Sequence, residues 1–258
     1  MAKSSLKATP MQRLWILLLI CVLLPTITAS TIYQPPQPLP IAEIQIISPG
    51  PKSRVTSPLV LRVMLKCGAN GLTSIDLMDK KSNLLSRHLL RLDCASGELA
   101  DLSIPIYFDA PMEGIQGRLS VATQDQHARD LALASIEVTL SQQIVDIKPP
   151  EDENAVFVIT SPEPDSTIVG GEATVTGWIR PKNTNPIIFE LITDTGSVIG
   201  IRQLLIPDDF ADPYFPFDIT LSYITLSRTR DVRLTLRQRD TNITGTLWLG
   251  SMHLWADP

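Results

Sequence analysis

IISPGPKSRV, Ile46 to Val55, sets two prolines, a glycine and two serines into a run of branched aliphatic residues, and VITSPEPDSTI, Val158 to Ile168, interrupts another aliphatic run in the same way. Residue by residue, Ser48-Pro49-x-Pro51-x-Ser53-x-Val55 returns as Ser161-Pro162-x-Pro164-x-Ser166-x-Ile168, an offset of 113. Proline after serine keeps the chain extended and withholds one ladder donor. A strand that reaches such a motif can stop pairing on one sheet and cross to another without leaving an unmet N–H. The recurrence therefore marks the opening of two similar β units.

Further matches follow in order along the chain. Asp79, Ser82, Arg87, Leu89 and Leu90 answer to Asp194, Ser197, Arg202, Leu204 and Leu205 at an offset of 115. Arg118-Leu119 and Asp125 answer to Arg233-Leu234 and Asp240 at the same offset, and SIEVTL from Ser135 answers to SMHLWA from Ser251 at 116. Offsets that stay ordered and drift by a few residues are what a duplicated domain with small loop insertions leaves behind. Between the copies DIKPPEDENA, 146–155, has the prolines and acidic run of a linker. The expected domains are residues 41–141 and 155–258, with 142–154 between them and a proline-rich spacer, 31–40, in front. A single large barrel is the structural alternative, and the duplicated boundaries argue against it.

Within each copy the apolar period is two. EIQII, LVLRVMLKC, SIDLMD, NLLSRHLLRL, DLSIPIYF, GRLSVATQ and ALASIEVTL in the first copy have counterparts in AVFVIT, EATVTGWI, IIFELITD, SVIGIRQLLI, PFDITLSYI, DVRLTLRQR and TLWLGSMHLW in the second. Twenty-one prolines and 13 glycines supply the turns between them. Seven short runs in about 100 residues is the pattern of an immunoglobulin-like sandwich. The predicted fold is all-β, two tandem immunoglobulin-like domains behind an N-terminal export signal or anchor.

The opening I-x-SP-x-P-x-S-x-V, the strand ending TVTGW and the later FELITDTGSVI resemble the immunoglobulin-like domain of bacterial spore-germination lipoproteins and related secreted bacterial proteins. The resemblance covers both copies, roughly 41–140 and 155–255. The first copy is the weaker match, because VLRVMLKC stands where that family has a glycine and its two cysteines are additional. The resemblance implies a β-sandwich accessory or binding module whose signature residues are structural, with no catalytic set.

Lys3, Lys7 and Arg13 precede the apolar run LWILLLICVLL, Leu14 to Leu24, followed by Pro25 and small residues. This is the form of an export signal cleaved near Ala29 or Ser30. Extended to Tyr33, the segment reaches the length of a membrane span, so retention as an anchor is the alternative. Either way residues 1–30 are set apart from the domains. Their removal takes three positive charges and moves the formal charge from -5 to -8, an acidic balance that argues against nucleic acid as a partner. In an exported chain Cys67 and Cys94 are expected to be bonded to each other.

Three features bear on a ligand. The loop PDDFADPYFPF gathers Asp208, Asp209 and Asp212 with Tyr214 and Phe215, carboxylates and aromatic faces that suit a cation or a sugar; an acidic loop whose aromatics fold back on the sandwich is the plainer reading. In DVRLTLRQR the residues Arg233, Arg237 and Arg239 alternate outward, a row that suits an anionic polymer or a carboxylated partner, against the plainer reading of a solvated face with acidic cross-strand neighbours. Trp178, Trp248 and Trp255 leave core packing and an exposed stacking face both open. His88, His127 and His253 have no ligand spacing, and no nucleophile elbow, phosphate loop, dinucleotide loop or zinc-protease motif occurs. No cofactor or metal is implied. The expected role is a non-enzymatic, exported binding or structural module of the cell envelope, partnered by an envelope polymer or protein, and held to the membrane if the N-terminal segment is retained. The competing expectations are an envelope-polymer hydrolase or carbohydrate-binding accessory using the 208–215 loop, and a subunit of a larger envelope or sporulation-type assembly.

Overall fold

Alternation decides the local structure. In LVLRVMLK, residues 59–66, Leu59, Leu61, Val63 and Leu65 are buried while Val60, Arg62 and Lys66 face out, the period-two pattern of a strand with one wet face. The computed structural model describes residues 38–68, 70–109, 114–208, 213–224 and 227–258. Among them all regular structure is β, in sixteen strands. The N-terminal segment Leu14–Leu24 lies outside the described residues.

The first half contains β1 (Ile44–Ser48), β2 (Ser53–Val55), β3 (Leu59–Lys66), β4 (Leu72–Asp79), β5 (Leu84–Arg91), β6 (Leu99–Ile106), β7 (Ile115–Gln124) and β8 (Asp130–Leu140). The second contains β9 (Phe157–Ser161), β10 (Thr167–Ile168), β11 (Glu172–Ile179), β12 (Ile187–Thr193), β13 (Val198–Leu204), β14 (Phe215–Ser222), β15 (Arg230–Arg239) and β16 (Thr246–Ala256). Two three-stranded sheets, ordered β1-β3-β6 and β14-β11-β9, accompany one ten-stranded sheet, ordered β13-β12-β15-β16-β8-β7-β4-β5 with β2 on β8 and β10 on β16. The large sheet runs through both halves. Its two central strands, β8 and β16, pair antiparallel at Ala134 with Trp248 and Leu133 with Leu249.

Each half has its own sandwich-like core. In the first, Ile44 and Ile46, Leu61 and Val63, Ile75 and Leu77, Leu119 and Val121, and Val138 and Leu140 close together. In the second, Val175, Phe189, Leu191, Ile219, Leu234 and Leu254 play that part. Removing a side chain of this size from water contributes about 1.5–3 kcal/mol. Cys67, at the end of β3, is disulfide-bonded to Cys94 in the β5–β6 connection. The link closes a loop worth about 3 kcal/mol in the chain-entropy picture.

The proline motifs perform the crossing expected of them. β1 pairs with β3 in the small sheet and, five residues later, β2 pairs parallel with β8 in the large one; β9 and β10 repeat the move on β11 and β16. The hydrogen bonds that close the two turns match. Ser53 Oγ donates to Gly50 O at 2.6 Å and Ser166 Oγ donates to Glu163 O at 2.6 Å. Lys52 and Asp165 both hold a positive φ, 61° and 62°, and their amides donate to Glu137 O and His253 O. β2 and β10 escape a reading by period because they are three and two residues long.

One register differs from the identities in the sequence. Asp79 N bonds to Asn83 O in the β4–β5 turn, and Thr193 N bonds to Ser197 O in the β12–β13 turn. Asp79 therefore corresponds to Thr193, an offset of 114 rather than 115, and the drift runs 113, 114, 115, 116 along the chain. Gly177 of TVTGW pairs with Ile159 as Val63 pairs with Ile46. A Cβ at Gly177 would lie 2.1 Å from Val158 O, so the second half needs the glycine where the first half packs a valine.

Candidate functional site

The site grows from the pairing of β8 with β16. Ser135 Oγ donates to Leu247 O at 3.0 Å, and Ser251 Oγ donates to Leu131 O at 2.7 Å. These residues correspond between the copies, with partners exchanged. Arg118 on β7 reaches Asp240 and donates to Ile243 O at 2.7 Å in the β15–β16 turn of the other half. Its counterpart Arg233 on β15 reaches Asp125 at 3.5 Å in the β7–β8 turn of the first half. Asp125 and Asp240 also shape their own turns alike, accepting from the amides of His127 and Asn242 at 2.8 Å. Interchange of this kind is what a two-fold axis between like subunits produces. The halves are joined as an isologous dimer would be.

The two sides of the junction have diverged. On one side Arg118 is 1% exposed, and it donates to Ser135 Oγ at 2.7 Å as well as to Asp240 and Ile243. Gly245 lets that turn close: a Cβ there would lie 3.0 Å from Arg118 Nε. On the other side Asp125 N bonds to Arg129 O as Asp240 N bonds to Gly245 O, so Arg129 stands where Gly245 would be. Its side chain holds Asp125 at 2.7 Å and reaches Thr193 O of the second half at 3.4 Å. This side stays open as a cavity of about 950 Å³, walled by Lys66, Asn70, Arg129, Thr193, Asp231 and Arg233.

Burial and hydrogen bonding pull these charges in opposite directions. Although desolvation works to raise it, the Asp125 carboxyl is held below its ordinary value by the amides of Arg129 and His127 and by the Arg129 guanidinium. Desolvation lowers the Arg233 guanidinium, against the pull of Asp125. Desolvation likewise raises Glu43 at the cavity wall, with Lys66 opposing.

The residues singled out in the sequence fall in different places. Arg233 lines the cavity. Arg237 is engaged by Glu190 across the sheet, at 3.1 and 2.8 Å, and the guanidinium is raised mainly by that bond. Arg239 is exposed at the end of β15. Asp208 is exposed, and Asp209 and Asp212 lie outside the described residues. Tyr214 is buried, its hydroxyl donating to Ala155 O at 2.8 Å under the Arg180 guanidinium, and Phe215 packs on the second core. Trp178 and Trp248 are buried, whereas Trp255 is 41% exposed, edge-on to His253. His253 sits between Asp165 and Asp231, 2.7 and 2.8 Å from its two ring nitrogens. Arg129 was not legible as a site residue, since its role depends on a turn meeting the other copy.

No protein-family model matches the chain, and no curated protein matches it. Among solved structures, β-glucuronidase of Ruminococcus gnavus is similar at 8% identity over 77% of this chain and 35% of that one, with a TM-score of 0.22. The same enzyme in complex with D-glucuronic acid gives 10% identity, coverage of 77% and 36%, and the same score. The chain spans about a third of the length of those enzymes. A likeness this slight transfers neither fold nor chemistry.

Proposed function

We propose that the chain is a non-enzymatic, exported module of the cell envelope, built of two tandem immunoglobulin-like domains, whose junction groove holds an envelope polymer or protein. Layers of β1-β3-β6 and β2-β8-β7-β4-β5, with the opening strand divided between them, support the immunoglobulin-like reading in the first half, and the second half repeats them. The observation that carries the binding reading is the cavity of about 950 Å³ on the Arg233 side of the junction, twice the volume of the one of about 460 Å³ that flanks the Arg118 side at Ser135, Asp240 and Trp248. A groove of this size between two sandwiches, lined mostly by polar and charged side chains with Leu131, Ile192 and Met252 among them, has the volume of a ligand site and the chemistry to hold a polar one. The test is retention of envelope polymer fractions by the immobilised full-length chain, compared with Thr195→Trp, which fills the groove from the β12–β13 turn. Retention by the parent and its loss in the variant is expected. Nothing retained by either, or equal retention, would sink the reading.

A second reading, a subunit of a larger envelope assembly, is favoured by one feature. The large sheet ends in β5, whose Leu89 is 69% exposed, and an unpaired apolar edge invites strand addition. Partner proteins that co-purify with the parent and are lost with Leu89→Lys would favour it over the groove.

A further inference from the structure

Resting on the groove reading above, we infer that the junction groove binds an oxyanion, a carboxylate or phosphate carried by its ligand, on the guanidinium of Arg233. The chain supplies its own comparison. Arg118 and Arg233 occupy corresponding places on β7 and β15 and face corresponding aspartates across the junction. Nε of each is buried without a partner, so the difference lies in the terminal nitrogens. Those of Arg118 have Ser135 Oγ, Asp240 and Ile243 O. For Arg233 the one hydrogen bond among the described residues is the 3.5 Å contact with Asp125, a carboxylate already taken by Arg129 at 2.7 Å.

Asp130 and Asp231 favour the Arg233 charge through space, but no acidic group of the groove other than Asp125 makes a hydrogen bond to it among the described residues. Asp125 serves Arg129, and Asp231 lies 2.8 Å from His253 Nε2. Asp194 accepts from its neighbour Thr195 N and faces Arg230 at 3.9 Å. Glu43 is set against Lys66. Arg233 is left a largely desolvated cation, its side chain 15% exposed, with Asp125, Asp130 and Asp231 acting on it through space and one long hydrogen bond made. A guanidinium that has lost most of its water and found one long acceptor is poised for a two-pronged oxyanion, because pairing it removes a desolvation cost already incurred in folding. Arg129 both creates the vacancy, by occupying Asp125, and stands beside it as a second donor.

The experiment is calorimetric titration of the full-length chain at near-physiological salt with three probes: oligogalacturonate for the carboxylate, a glycerol-phosphate oligomer for the phosphate, and a malto-oligosaccharide as the uncharged comparison. Binding of one anionic probe, weakened about tenfold or more by Arg233→Gln, is expected, that being the scale of a charge-assisted pair. Arg239→Gln, which removes an exposed cation from the same strand, should change it less than about twofold. Which anionic probe binds separates the two sources of the oxyanion. Binding neither, binding the uncharged probe as well as the anionic ones, or losing affinity equally in the two variants overturns the inference. If envelope fractions are still retained through the groove while Arg233→Gln has no effect, the oxyanion is wrong and the groove reading stands.

Discussion

Two arginines at equivalent positions are held to very different degrees, and their substitutions should differ accordingly. Arg118→Ala leaves Ile243 O and one carboxylate oxygen of Asp240 without their donor at a buried position. Breaking such a buried pair from one side costs about 3–5 kcal/mol, to be read from denaturant unfolding. Arg237→Ala, at a two-pronged pair that keeps part of its solvent contact, should cost less, about 1.5–3 kcal/mol. Equal losses would remove the distinction between the junction and the sheet face. Asp125→Asn tests the open side through pH. The folded carboxyl lies below its ordinary value, so the unfolded chain takes up the proton first on acidification. Its contribution is present above the ordinary aspartate value near 3.9 and is lost as pH falls through the folded one. The variant should be less stable at pH 7 by about 1–2 kcal/mol, with the gap closing as pH falls through the folded value; a gap independent of pH would refute it. Glu43 has the opposite sign. Burial raises its carboxyl, so stability falls as pH rises through the folded value. Glu43→Gln should therefore stabilise the chain at pH 7 and not below the ordinary glutamate value near 4.3.

At the level of strands and turns, Gly250 deserves a substitution of its own. A Cβ there would lie 2.1 Å from the ring of Phe157, which stacks on Trp248, whereas the first half carries Ala134 at the same place. Gly250→Ala should lower stability by about 1–3 kcal/mol through overpacking, and thermal unfolding would show it. Replacing Cys67 and Cys94 by serine should cost about 3 kcal/mol and loosen the wall of the groove that Cys67 lines. Much of this scale was legible beforehand. The alternation in LVLRVMLK and the paired proline motifs were readable because strand period and lost donors act locally, and the isolated cysteine pair pointed to the bond that Cys67 and Cys94 make. The junction was not legible. Outward residues such as Arg233 and Ser251 obey the same alternation whether water or another turn lies over them, and a two-residue pairing of β8 with β16 leaves no periodic trace. The signal that could have found it was already present: Arg118 and Asp125 recur together as Arg233 and Asp240.

For the molecule as a whole, two cores sharing one sheet should unfold together. Calorimetry on the full-length chain is expected to give one transition with matching calorimetric and van't Hoff enthalpies, and Arg118→Ala is expected to split it, because the lock on one side of the junction is gone. Two separate transitions in the parent chain would mean that the β8–β16 pairing contributes little. The same pairing also bears on how the halves stay together. Each copy covers the edge strand of the other, and an uncovered edge is a template for aggregation. Loss of either half would thus bare part of a strand that the other half covers, and a change at Arg118, Asp125, Arg233 or Asp240 removes a partner from the other half. The seam that joins the halves works as a ratchet: once paired, they are easier to keep together than to part.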